Sequence, residues 1–148
     1  MRPLSLIAAL ALLHGQAQSG RAPSPTVAGR YATVVTLLSS TCAGQGVEQH
    51  PTTVAHATGS AKLSLTHAGS TYEGTLRDDG TFATTAVTQE FDGVRYTIAI
   101  SGRFRENRLD ATVRVDALKQ PPCQFTARWS GKREAEAGAA AARPRPNP

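Results

Sequence analysis

From Thr26 to Arg133, apolar and polar residues alternate with a period of two rather than 3.6. Successive side chains of an extended chain point to opposite faces, so this is the pattern of strands with one buried face. Thr and Val are abundant here and the helix formers Glu, Lys and Leu are sparse, which also suits strands. Turn signals recur at Ala68-Gly69, Asp78-Asp79-Gly80, Asp92-Gly93 and Glu106-Asn107. Gly after Asp supplies the positive φ of a tight hairpin turn. The spacing predicts an antiparallel meander with strands over 29–41, 60–67, 71–77, 81–91, 94–105, 108–117 and 122–130. A further strand candidate lies around 52–57.

The alternation also predicts register. With Glu106-Asn107 as a two-residue turn, Phe104 faces Leu109, Gly102 faces Ala111, Ile100 faces Val113 and Ile98 faces Val115. The other face pairs Arg105 with Arg108, Arg103 with Asp110, Ser101 with Thr112, Ala99 with Arg114 and Thr97 with Asp116. A slip of one residue would mix the two faces, so this register is well specified. About Ala68-Gly69, Leu65 faces Tyr72, Leu63 faces Gly74 and Ala61 faces Leu76. A three-residue turn at Asp78-Asp79-Gly80, with Gly80 in a bulge, sets Leu76 opposite Phe82. Beyond it the parity conflicts. Phe82 inside puts even positions inside, whereas Val87 and Phe91 require odd ones. A β-bulge near 83–87 resolves the conflict.

The flanks read differently. Arg2, the ten-residue apolar run at 4–13 and the small residues Gly15 and Ala17 predict a signal peptide over 1–19. The run is too short to span a bilayer as a helix. The expected location is exported, in the periplasm or outside a bacterial cell. The Ala- and Pro-rich stretch 134–148 predicts a disordered tail, leaving one domain over 26–133. An exported chain meets an oxidising compartment, so Cys42 and Cys123, the only two cysteines, are expected to be bonded. That bond joins the end of the first strand to the start of the last. In a meander, antiparallel neighbours at first and last position require an even number of strands. With 52–57 counted there are eight, and the expected fold is an all-β, up-and-down meander of seven to eight strands closing into a small β-barrel. An open β-sandwich stapled by the same bond is the alternative.

Gly29-Arg30-Tyr31 opens the first strand and Arg128 lies in the last. In this the chain resembles the calycins, the superfamily of lipocalins and avidins. Those barrels open with Gly-x-Trp, and a basic residue of the last strand packs across the aromatic ring. Tyr31 stands here where that pattern has Trp. The resemblance implies a barrel with a ligand in its mouth.

Composition narrows the function. The chain has 148 residues, 15.6 kDa and 18% charged residues, which excludes a multidomain enzyme, a coiled coil or a collagen. No nucleophile elbow, phosphate loop, dinucleotide fingerprint or zinc-helix motif occurs, so neither catalysis nor a cofactor is expected. Glu48, His50 and His56 share parity, and a strand there would put them on one face as a candidate transition-metal site. His67 adjoins a turn and reads as solvated. The net charge is +5, and thirteen of sixteen basic residues are Arg. Arg103, Arg105, Arg108 and Arg114 fall on one hairpin face, either as a solvated surface paired with Asp110 and Asp116 or as an anion-binding patch. No aromatic residue interleaves with them, which argues against nucleic acid as a partner. Tyr72, Tyr96 and Trp129 are the candidate ligand-binding residues, being large, inward by parity and polar at the tip. The inward set also includes Phe82, Phe104 and Phe125, with small residues at Ala61, Gly74, Gly102, Ala111 and Ala127. The expected protein is a monomer that contains a small apolar ligand. The alternative is a protein-interaction module, such as a protease inhibitor or envelope accessory protein, acting through loop 43–58.

Overall fold

The structure, a computed structural model, describes residues 26–135. The expected signal peptide and nearly all of the expected tail lie outside the described residues. Nine strands follow in order: β1 (Gly29–Ser40), β2 (Thr52–His56), β3 (Lys62–His67), β4 (Ser70–Leu76), β5 (Thr81–Thr84), β6 (Val87–Phe91), β7 (Val94–Arg105), β8 (Arg108–Leu118) and β9 (Cys123–Arg133). Every pairing is antiparallel. β1 pairs with β9 and β5 pairs with β7, so eight strands form a closed ring, and β6 is an extra strand on β7. The barrel reading holds and the open sandwich does not.

The predicted registers are present. β7 and β8 pair Phe104 with Leu109, Gly102 with Ala111, Ile100 with Val113 and Ile98 with Val115, and their outer face pairs as expected. β3 and β4 pair Leu65 with Tyr72 and Leu63 with Gly74, and Leu76 lies opposite Phe82. The parity conflict is resolved between β5 and β6. Ala83 lies opposite Ser101 but Val87 lies opposite Ile98, so one strand advances four residues while the other advances three. That is one extra residue, the expected bulge. The Thr84 hydroxyl accepts from the Ile100 N–H at 3.0 Å and satisfies a backbone donor that the break leaves over.

Cys42 and Cys123 are bonded, with Cα atoms 5.1 Å apart, at the end of the barrel where β1 finishes and β9 begins. β1 pairs with β2 only over Gly29–Tyr31, so the wall between them parts toward that end. The gap is spanned by the loop 41–51. Its Gln49 side chain accepts from the Val35 N–H at 2.8 Å and donates to the Val35 carbonyl at 2.9 Å, standing in for a missing strand partner. β2 lies inside the loop expected at 43–58 and shortens it to 41–51.

Arg128 is not the basic residue beside the start of β1. It lies opposite Thr36 on the outer surface and pairs with Asp110. Arg133 takes that place. It lies opposite Tyr31 and donates to the Thr26 and Ala28 carbonyls at 2.7 and 3.2 Å. The outer arginines also find partners other than those the register suggests. Arg103 is 3.7 Å from Asp79, and Arg114 pairs with Asp116 two residues along its own strand. Arginine is long enough to reach past the residue opposite.

Candidate functional site

The eight aromatic residues divide between the two ends of the barrel. At the end where β1 begins, Tyr31, Phe82 and Phe104 are buried and in mutual contact, with ring centroids 5.7 Å apart for Tyr31 and Phe104 and 4.9 Å for Phe82 and Phe104. The Tyr31 hydroxyl donates to the Val27 carbonyl at 2.8 Å, and burial pushes its pKa up. These rings occupy the interior of this half. Gly102 is the reason strands approach so closely here. A Cβ at that position would overlap the Asp110 carbonyl oxygen and the Ala111 backbone.

The other end is hollow. A cavity of about 560 Å³ opens there, lined by Tyr72, Tyr96, Phe91, Phe125 and Trp129 together with Val113, Val115 and Ala127. It contains all three candidate ligand residues. Tyr72 and Trp129 are buried, whereas Tyr96 is partly buried and closer to the rim. The volume comes from residue size. Ala127, Val113 and Val115 occupy inward positions of β8 and β9 where larger side chains would close the space.

The floor of this cavity is a stack that the sequence reading missed. His67 is buried, not solvated. Its ring lies 4.0 Å from that of Trp129 at an interplanar angle of 26°. The Trp129 ring meets Tyr72 edge-on at 6.5 Å. Thr52 Oγ1 lies 2.9 Å from Thr33 Oγ1 and 3.0 Å from His67 Nδ1. Burial, with a smaller contribution from His50, lowers the His67 pKa to about 4. The ring is therefore neutral at pH 7. A signal for this was present in the chain: His67 shares the inward parity of Leu63 and Leu65.

The three candidate metal ligands separate. Glu48 and His50 line the rim of the cavity, with His50 Nε2 3.1 Å from Glu48 Oε2 and the His50 ring edge-on to His67 at 5.8 Å. His56 lines a different recess of about 330 Å³ at the opposite end, beside Leu76 and Phe104. Its Nε2 donates to the Ser60 carbonyl at 2.8 Å. β2 runs the length of the wall between them, so sharing parity does not bring these residues together. Among the described residues, no three His, Cys, Asp or Glu side chains form a group able to hold a metal ion.

The outer groove along Arg103, Arg105 and Arg108 is a third feature. Arg105 and Arg108 lie directly opposite each other, and Arg108 lies opposite Lys132 in turn. Asp110 sits two pairs further along the β7–β8 ladder, opposite Arg103, and is bonded to Arg128.

No family model, curated protein or solved structure matches this chain.

Proposed function

We propose that this is an exported, non-catalytic bacterial protein that binds a small apolar ligand in the open end of its barrel, in the manner of the calycins it resembles. One observation carries the reading: Tyr72, Tyr96 and Trp129 line a single cavity of about 560 Å³ whose other walls are mostly aliphatic and aromatic, with a few polar and acidic side chains. Cavities of this size, apolar with a few polar groups, are the usual form of a small-molecule site. His67, buried in the cavity floor, is engaged by Thr52 Oγ1 at 3.0 Å, and Thr52 itself does not line the cavity. The Thr52 hydroxyl is wholly buried and is not presented to a ligand as a nucleophile. The disulfide at the mouth supports export, since such bonds persist in oxidising compartments.

Trp129 is the only tryptophan and lies in the cavity, so its fluorescence is a direct reporter. Titration with fatty acids, retinoids and a neutral naphthyl compound should give a saturable change in the folded protein. Ala127→Phe should abolish it by filling the space. The absence of a saturable change with every such compound, in protein whose circular dichroism is that of the folded state, rules the reading out.

A further inference from the structure

The chain is strongly basic, with sixteen Lys and Arg against eleven Asp and Glu. Its cavity is not. The charged side chains lining it are Glu48 and Asp92, and among the described residues no Lys or Arg lines it. Five of the eight aromatic residues of the chain also line it. These two facts have one chemistry in common. The face of an aromatic ring carries negative quadrupolar potential and attracts a cation, most strongly for Trp. A carboxylate at the rim attracts the same charge. An anion meets the opposite: two carboxylates and no Lys or Arg among the described lining residues.

We infer that the ligand of this cavity is an organic cation, an amine or quaternary ammonium on an aromatic or apolar body. This inference rests on the reading of the cavity as a ligand site and adds the ligand's charge. The apolar body occupies the space above the Trp129–His67 stack, and the ammonium lies toward the rim between Glu48 and Asp92. The floor is suited to a cation because His67 stays neutral down to pH of about 4 and sets no positive charge against the ligand at pH 7. Glu48 is hydrogen-bonded to His50, and His50 meets His67, so the rim carboxylate is in contact with the rings of the cavity wall. Asp92 is fixed differently. It holds a φ of 49° in the β6–β7 turn, next to Gly93, and lines the cavity with Phe91.

The test uses three compounds with one naphthyl body: 1-naphthylmethylamine, 1-naphthylmethanol and 1-naphthoate. Their affinities are read from Trp129 fluorescence at pH 7 and low salt. The amine should bind about tenfold tighter than the alcohol, with the carboxylate weakest. In the double variant Glu48→Gln, Asp92→Asn the advantage of the amine should shrink to about threefold while the alcohol is unaffected. Both substitutions suit their sites, since Glu48 is exposed and Asn tolerates positive φ. Alcohol binding as tight as the amine, carboxylate binding tightest, or an amine preference unchanged in the double variant each overturns the cation assignment and leaves the apolar container standing. Failure of all three to bind overturns the container reading and the cation assignment together.

Discussion

Trp129 of β9 and His67 of β3 stack at 4.0 Å although β1 and β2 stand between their strands in the barrel wall. The contact therefore crosses the interior. It divides the barrel into a half occupied by aromatic rings below and a hollow half above, and it places an ionisable ring where a charge is costly.

That cost makes stability depend on pH. An unfolded histidine titrates near 6.5, whereas His67 in the fold titrates at about 4. Between these values the unfolded chain takes up a proton that the folded chain does not. Stability is undiminished above pH of about 6.5 and falls as the pH drops toward 4, by about 3 kcal/mol in total. Urea midpoints of the protein and of His67→Asn across pH 7.5 to 4.5 check this. Asn keeps a polar group near the Thr52 hydroxyl and does not titrate, so its profile should be the flatter one. Parallel profiles would show that His67 is not the group responsible.

Gly102→Ala should destabilise by about 1–3 kcal/mol, because the added methyl meets backbone on β8 rather than a side chain that can move aside. Gly46→Ala serves as the comparison, since a Cβ there meets nothing within 4 Å. Its effect should lie within about 0.5 kcal/mol. Equal thermal midpoints for the two variants would contradict the close approach of β7 and β8.

The mature protein should contain no alkylatable thiol before reduction. Cys42→Ser with Cys123→Ser should cost about 2–4 kcal/mol, since the bond closes a long loop with a sequence separation of 81. Two free thiols by mass spectrometry of non-reduced material would refute the bond and remove the support it lends to export.

Asp110→Asn should lower stability by about 0.5 kcal/mol, and more at low salt than at high salt. The Arg128 guanidinium bonded to Asp110, with Arg108 and Arg105 nearby, holds its carboxyl below the usual carboxylate range. The pair is exposed, so the effect is small. Its salt dependence arises because Arg103, Arg105, Arg108 and Arg128 then face one another with less compensation. A salt-independent loss would point to a role other than charge.

Parity along each strand is a local property, and the chain by itself determined whatever depends on it. The β7–β8 register follows from it, since slipping Ile100 off Val113 would bury Arg103. The bulge between 83 and 87 follows as well, because Phe82 and Val87 cannot both face inward on an unbroken strand. Two cysteines at the outer ends of the meander were enough to bring β1 beside β9.

Tertiary structure decided what depends on strands that are not neighbours in sequence. Parity placed Leu63, Leu65 and His67 on one face, but only closure of the ring put Trp129 against the last of them. Parity likewise grouped Glu48, His50 and His56, and the length of the wall then set them at opposite ends. Whether small inward residues leave a space depends on how far apart the facing walls stand. At Gly102 the strands close up and Phe82 and Phe104 occupy the interior, whereas at Ala127 they do not, and the mouth stays open. Alternation specifies the side of a strand on which a residue lies. The distance across the barrel is set by all eight strands of the ring together.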